Sequence, residues 1–158
     1  NVEKLKKITK NKNITRAIPL PPIEINKGPI VICPPNKNAK NLFKHLGMVI
    51  EIRNEELSYK FWSTASIMGA FYEILNTSSN WLIKKGINKK IAKNYIAELF
   101  LSLSQDAANK QSKGFKKLVA DSQTPKGLNM QVLKELQKGK FYSKFLKALD
   151  NVNKRVSK

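Results

Sequence analysis

Hydrophobic positions in the first third of the chain form short extended runs separated by helical patterns. The predicted strands are Ile14–Ile18, Ile30–Cys33 and Met48–Ile52. The last two are continuous apolar runs rich in β-branched residues, which are typical of buried strands. Residues 38–46 between the last two strands predict a helix that stops at Gly47. The residues Val2–Lys10 predict the end of a helix with one apolar face. This alternation of strand and helix predicts an α/β sheet over residues 1–53.

From Asn54 onward the pattern becomes helical. Asn54 followed by Glu55 and Glu56 is a helix N-cap with an acidic first turn. Apolar residues then recur at spacings of three and four, which predicts one helix of several turns, and they are Leu57, Phe61, Ala65, Met68, Tyr72 and Leu75. Further helices are predicted to begin at Asn88, Phe115, Leu128 and Phe141. The predicted fold is therefore α/β followed by all-α, with the helical domain over residues 54–158.

The predicted helices carry more apolar surface than one face can hold. Phe61 and Trp62, like Phe71 and Tyr72, are adjacent, so their side chains point about 100° apart on a helix. One explanation is a deep core within the chain. The alternative, which the pattern favours, is that part of this surface forms a homodimer interface.

Composition excludes several classes of protein. The chain has 158 residues, of which 41% are hydrophobic, enough to bury a core. Apolar runs of membrane-span length and a signal peptide are both lacking, so we expect a cytoplasmic protein that does not bind a membrane. Cys33 and His45 are each the only residue of their type, and therefore neither a disulfide nor an ordinary Cys/His metal site is predicted.

The net charge of +19 at first indicates a nucleic-acid partner. However, only three of the 30 basic residues are arginines, the residue that base and bidentate phosphate contacts favour. The lysines are also spread over the whole chain without a block of five or six. We therefore expect no nucleic-acid partner, and basic nucleic-acid binding is the weakest of the alternatives.

The segment Thr124-Pro125-Lys126-Gly127 interrupts two helical patterns. Pro and Gly at this spacing are ordinary signals of a turn. The second interpretation is a helix N-terminus at which the free N–H groups of Gly127, Leu128 and Asn129 bind a small anion such as a substrate carboxylate.

Four segments together resemble the pyrroline-5-carboxylate reductase family. "TRAIPLPP" from Thr15 resembles that family's R-x-M-P-N-T-P, and "STASIMGAFYEIL" from Ser63 stands at the place of its S-G-S-G-P-A-Y. "DSQTPKGLN" from Asp121 is similar to its S-P-G-G-T-T. The final "LKELQKGKFYSKFLKALDNVNKRVSK" is similar to its closing L-x-x-G-G-F and terminal helix. The resemblance covers nearly all of the chain.

The resemblance implies a Rossmann domain that binds NADP or NAD, followed by helices from two subunits that interlock to complete the active site. Residues 1–53 would be the incomplete C-terminal portion of the dinucleotide-binding domain, and residues 54–158 the helical dimerisation and substrate-binding domain. None of the seven glycines forms the G-x-G-x-x-G loop that holds a dinucleotide pyrophosphate. We therefore expect this chain alone to be inactive as a reductase.

The implied substrate is a small cyclic imino acid, and the implied site residues follow the matched motifs. They are Thr64 and Ser66 as catalytic residues, Thr124, Gly127, Leu128 and Asn129 for the substrate, and Pro19 and Leu20 for the cofactor. Where the family has glycine or a polar residue, this chain has Ile67, Leu128 and Leu20. These departures support the alternative hypothesis of a non-catalytic helical dimerisation or binding module.

Overall fold

The computed structural model describes residues 1–157 and divides them into two compact units. The first comprises residues 1–67 together with the C-terminal residues from Lys147, and the second comprises Met68–Leu146. The strands are β1 (Arg16–Ile18), β2 (Pro29–Cys33) and β3 (Met48–Glu51). The helices are α1 (Val2–Thr9), α2 (Lys37–Phe43), α3 (Glu55–Ala65), α4 (Met68–Lys84), α5 (Lys89–Asn109), α6 (Phe115–Asp121), α7 (Leu128–Lys138) and α8 (Phe141–Val156). A small sheet followed by a mostly helical segment confirms the predicted fold class.

The first unit is built around a three-stranded sheet in the order β1-β2-β3. Strand β2 pairs antiparallel with β1 and parallel with β3. Because β2 is central, its side chains from Ile30 to Cys33 are buried, as the continuous apolar run predicts. Strand β3 was predicted to be buried as well, and this is wrong: it lies at the sheet edge, and Met48 is exposed.

Two predicted helices end earlier than the apolar pattern suggests. Helix α2 ends at Phe43 instead of continuing to Leu46, because the Leu46 N–H donates to the Phe43 carbonyl and tightens the chain into a turn. The long helix predicted to start after Asn54 is interrupted after Ala65, so that α3 and α4 are separate helices. At this break the Ser66 hydroxyl donates to the Ser63 carbonyl, 2.6 Å away, and replaces a backbone partner.

The second unit contains the helical pair α4 and α5, joined by a turn at Gly86. The Ile87 N–H donates to the Leu82 carbonyl and Gly86 has φ 92°, which is the Schellman ending that favours glycine. Phe71 of α4 and Phe100 of α5 pack edge to face with ring centroids 6.0 Å apart. Asn88 caps α5 as predicted, since its side chain accepts from the Lys90 and Ile91 N–H groups.

Very little of the second unit is buried within the chain. From Met68 to Leu146, only Ser79, Ala92 and Ile96 are fully buried, whereas apolar side chains on every helix of this unit are exposed. A helical unit of this size normally buries a contiguous apolar core. The exposed apolar side chains therefore do not fit a deep core within this unit. Within residues 1–157, no helix is both long and apolar enough to span a membrane.

Cys33 provides a chemical probe of the first unit. Its side chain is 3% exposed, and burial raises the pKa of the thiol, with a further increase from the Glu55 carboxylate. Because the thiolate is the reactive form, we expect Cys33 to resist a thiol reagent at neutral pH until the first unit unfolds. Labelling followed by mass spectrometry, with and without denaturant, measures this.

The raised pKa of Cys33 also determines how the stability of the fold changes with pH. Below the ordinary thiol pKa the group is neutral in both states, so its contribution to stability is fully present. At alkaline pH the thiol of the unfolded chain ionises first, and stability is lost as the pH rises through the folded pKa.

Rapid labelling of the folded protein at neutral pH would contradict the buried position of Cys33.

Candidate functional site

The turn before α7 is closed by a backbone hydrogen bond. The Gly127 N–H donates to the Thr124 carbonyl at 2.8 Å, and Pro125 and Lys126 are the two central residues. Lys126 has φ 60°, so the turn has the proline and the positive φ that characterise type II turns. Glycine and asparagine favour such a φ, and the similar family motif has glycine at the position of Lys126.

Helix α7 begins immediately after this turn and has no side-chain cap. Gly127 is its N-cap residue, and the first intrahelical bond runs from the Gln131 N–H to the Gly127 carbonyl. The N–H groups of Leu128 and Asn129 therefore precede the first intrahelical donor and have no acceptor within the helix. The expectation that the Gly127 N–H is also free is wrong, because the turn uses it. Met130 is in the same position as Leu128 and Asn129, so the N-terminus presents three adjacent backbone donors that can bind an anion.

In the first turn of α7, the side chains of Leu128 and Asn129 offer no unpaired polar donor to an anion. Leu128 is 80% exposed. The Asn129 side-chain amide donates to the Ser122 carbonyl at 3.0 Å, so the amide already has a partner within the chain. Gln123, just before the turn, has a buried side-chain oxygen that receives no hydrogen bond from residues 1–157. Contact with an anion at this turn would therefore come first from backbone N–H groups.

The turn leaves no room for a side chain at Gly127. Its φ of −73° is accessible to any residue, but a Cβ there would overlap Thr124 Oγ1 and lie 3.0 Å from the Thr124 carbonyl oxygen. We expect Gly127→Ala to lower the free energy of unfolding by about 1–2 kcal/mol, the usual size of an overpacking effect.

Gly139, at the other end of α7, is the matched control because its φ is −71°. A Cβ at Gly139 would lie 3.4 Å from the nearest atom, the Glu135 carbonyl oxygen. Gly139→Ala should therefore be nearly neutral in a denaturant titration. Equal losses of stability in the two variants would contradict the steric explanation.

The two hydroxyl residues expected to be catalytic lie at the C-terminal end of α3. Thr64 Oγ1 donates to the Lys60 carbonyl at 2.9 Å, and Ser66 Oγ donates to the Ser63 carbonyl at 2.6 Å. Both hydroxyl protons are therefore used within the helix, an arrangement common for packing residues. Their oxygen lone pairs remain available as acceptors.

Pro19 and Leu20, expected to contact the cofactor, connect β1 to a 3₁₀ segment, Pro21–Ile25. Pro19 is exposed, and Leu20 is half-buried as the N-cap residue of that segment. Within residues 1–157, neither accepts a hydrogen bond from Thr64 or Ser66. Pro19, Leu20, Thr64 and Ser66 belong to the first unit, and residues 124–129 belong to the second.

Sequence reasoning missed a polar cluster in the first unit, the Glu55 cluster, formed by Val2, Arg16, Glu55 and Trp62. The Val2 N–H lies 3.0 Å and 3.1 Å from the two Glu55 carboxylate oxygens. Arg16 Nη1 lies 3.4 Å from Glu55 Oε1, and the Arg16 guanidinium carbon lies 3.7 Å from the Trp62 ring centroid. The cluster links α1, β1 and α3, and so holds the strand leading to Pro19 against the helix that carries Thr64. Its only sequence signal is the acidic first turn of α3.

Trp62, unlike Glu55, has a polar atom without a hydrogen-bond partner among residues 1–157. The ring of Tyr59 packs against Trp62 at 5.1 Å between centroids. Burial raises the pKa of Tyr59, and the Glu55 carboxylate raises it further. Trp62 Nε1 is buried and has no acceptor in the part of the chain that the structure describes. A water molecule or another segment would satisfy this donor.

Comparison with known proteins gives one family and one fold. The family model for pyrroline-5-carboxylate reductase dimerisation matches residues 61–158. A pyrroline-5-carboxylate reductase from Coxiella burnetii superposes with a TM-score of 0.77 at 23% identity, over 90% of this chain and 55% of that chain. A pyrroline carboxylate reductase from Plasmodium falciparum, solved with NADP bound, gives a TM-score of 0.80 at 19% identity, over 99% of this chain and 66% of that chain.

A third solved structure, 1-pyrroline-5-carboxylate reductase from Streptococcus pyogenes, gives a TM-score of 0.79 at 17% identity, over 90% of this chain and 57% of that chain. At such identities these structures show a shared fold. The chain spans between about half and two thirds of the length of those three chains. No curated protein matches the chain. Because the family model matches more than half of its residues, the chain belongs to the pyrroline-5-carboxylate reductase family.

Proposed function

We propose that this chain is part of an NAD(P)H-dependent reductase that reduces a small cyclic imino acid of the pyrroline-5-carboxylate type. The observation that carries the proposal is the match of residues 61–158 to the dimerisation domain of that family. The NADP bound in the Plasmodium falciparum relative supports a nicotinamide cofactor. When bound, that cofactor supplies the hydride.

In this proposal residues 1–53 are the C-terminal portion of a dinucleotide-binding domain. Pro19 and Leu20 lie next to the nicotinamide, at the loop that follows β1. The fit is partial, since Leu20 offers an apolar side chain and only its backbone carbonyl for polar contact. None of the seven glycines forms the dinucleotide loop, so activity depends on groups beyond those present in this chain.

The proposed substrate carboxylate binds at the N-terminus of α7. The N–H groups of Leu128 and Asn129 donate to it, and Gly127 keeps the approach to the backbone open. Thr64 and Ser66 are the proposed catalytic residues, and this role requires that their hydroxyl protons leave the helix carbonyls and bind a ligand instead. The exposed apolar helices of the second unit pair with those of a second copy of the chain.

A direct binding experiment tests the carboxylate site. Proline, the cyclic product mimic, is titrated into the isotopically labelled chain, and the backbone amide shifts of Leu128 and Asn129 are followed. We expect saturable shifts at these two residues. Gly127→Val is expected to abolish them by blocking the backbone.

Asn129→Ala distinguishes backbone binding from side-chain binding. A lost side-chain hydrogen bond to a charged ligand costs about 1–3 kcal/mol. Because the Asn129 amide donates to Ser122 in the free chain, we expect a loss at the lower end of that range. Absence of any proline-dependent shift, together with a lower melting temperature of Gly127→Val, would reject the site and leave the segment as a turn.

A second candidate function is a non-catalytic helical dimerisation module. The observation that favours it is the internal bonding of the Thr64 and Ser66 hydroxyls and the Asn129 amide. A stable dimer that shows no saturable proline binding would support this function over the reductase.

A further inference from the structure

A cleft with a positively charged rim lies where the chain enters β2 and β3. We call it the basic cleft; it has a volume of about 410 Å³ and is lined by Asn26, Lys27, Gly28, Pro29, Lys44, His45, Gly47 and Met48. Three of these side chains are basic, and none is acidic. We propose that the basic cleft binds the phosphate group of a small anion, inorganic phosphate or a phosphomonoester. This site is independent of the proposed reductase function.

The backbone holds the two walls of the cleft at a fixed separation. Pro29 and Met48 are register partners in the parallel pair β2–β3, and the Met48 N–H donates to the Gly28 carbonyl at 2.9 Å. A Cβ at Gly47 would lie 2.5 Å from the Gly28 carbonyl oxygen, closer than real contacts allow. Any side chain at Gly47 would therefore separate the walls.

The first wall is a constrained turn that carries Lys27. Asn26 has φ 56° and Gly28 has φ 97°, so the residues on both sides of Lys27 are in the left-handed region. The Lys27 N–H donates to the Pro22 carbonyl at 3.1 Å, and the Asn26 N–H donates to the Ile23 carbonyl at 3.0 Å. These bonds tie the turn to the preceding 3₁₀ segment and limit how far the backbone of Lys27 can move.

The charges on the rim are not neutralised within the chain. In the part of the chain that the structure describes, the side chains of Lys27, Lys44 and His45 form neither ion pairs nor hydrogen bonds. Lys44 and His45 follow α2, where cations are favoured by the helix dipole. Lys27 lies on a different segment, so the dipole of α2 does not explain its position. Two lysines from separate segments facing one cleft are a suitable arrangement for a doubly charged anion.

The volume of the cleft suits a small phosphorylated molecule, since ligand pockets start at about 300 Å³. The openness of the rim to solvent predicts modest affinity, because water screens the charges. A phosphate carries up to two charges where a carboxylate carries one, so attraction to the two lysines favours phosphate.

The test is a titration of the labelled chain with inorganic phosphate and, separately, with glycerol 3-phosphate, in a sodium chloride buffer of physiological strength. We expect saturable amide shifts at Gly28, His45 and Gly47. The double variant Lys27→Gln/Lys44→Gln should weaken binding about tenfold or more, the effect of losing two charge-assisted contacts. Tighter binding of glycerol 3-phosphate than of phosphate would identify an organic phosphate as the preferred ligand.

The matched control is Lys89→Gln/Lys90→Gln, which removes two lysines from the start of α5 and leaves the basic cleft unchanged. It should alter phosphate affinity by less than about twofold, since these two lysines do not line the cleft and their charges are screened by salt. Far-ultraviolet circular dichroism checks that both double variants are folded. Equal loss of affinity in the two variants, or shifts that spread over lysines along the whole chain without saturating, would overturn the proposal.

Discussion

A Tyr95→Glu chain is expected to sediment as a monomer at micromolar concentrations at which the unchanged chain sediments as a dimer. Tyr95 is 59% exposed on α5, although Ala92 and Ile96 on the same helix are buried. If the apolar face of α5 is covered by a second copy, the variant places an unpaired carboxylate in that interface. An unpaired buried charge costs about 3–5 kcal/mol, which weakens a dimer by at least about a hundredfold.

The matched control for this change is Asn94→Glu. It adds the same charge to the same helix one residue away, at an exposed polar position. Asn94→Glu should leave the dimer intact, because its charge stays in water. A folded monomer of the unchanged chain would reject the homodimer. Equal dissociation of both variants would show that charge on α5, rather than its apolar face, controls association.

Glu55→Ala is expected to lower the free energy of unfolding by about 2–3 kcal/mol. The largest contribution is the Val2 N–H, which is buried and would lose both of its acceptors; an orphaned buried donor costs about 1–3 kcal/mol. The ion pair with Arg16 adds little, because the Arg16 side chain is 37% exposed and exposed pairs contribute less than about 1 kcal/mol. For a chain of this size the loss corresponds to a fall of about 4–10 °C in melting temperature.

Glu56→Ala is the control for Glu55→Ala. Both glutamates lie in the first turn of α3, so both interact with the helix dipole, but Glu56 is exposed and its side chain has no partner among residues 1–157. Its replacement should cost only the dipole term, roughly 0.3–1 kcal/mol. Calorimetry of the two variants measures the difference. Equal melting temperatures would mean that the bond to Val2 contributes nothing to stability.

Features that depend on neighbouring residues were predictable from the sequence. Asn54 and Asn88 cap α3 and α5 as expected, because a cap needs only the next two or three backbone N–H groups. The apolar run before Cys33 predicted the central buried strand. The motifs around Pro125 and Gly127, together with three other segments, indicated the family, which the match to residues 61–158 confirms.

The candidate site could be predicted only in part. The position of the turn before α7 follows from Pro125 and Gly127, but the use of the Gly127 N–H inside the turn does not. The roles of Pro19, Leu20, Thr64, Ser66 and residues 124–129 come from the resemblance and stay predictions. A motif gives the type of residue at a position, whereas its availability to a ligand depends on which nearby groups compete for the same hydrogen bonds.

The sequence by itself determined the class of the fold, the positions of most helices and strands, and the family. Each of these follows from periodicity, capping or local motifs, in which the interacting residues are close along the chain. Only the tertiary structure decided that Glu55 binds the N–H of Val2, 53 positions away, that β3 lies at a sheet edge, and that Lys27 faces the same cleft as Lys44. These contacts join segments whose separation along the chain carries no periodic signal, so they are set by how the elements pack.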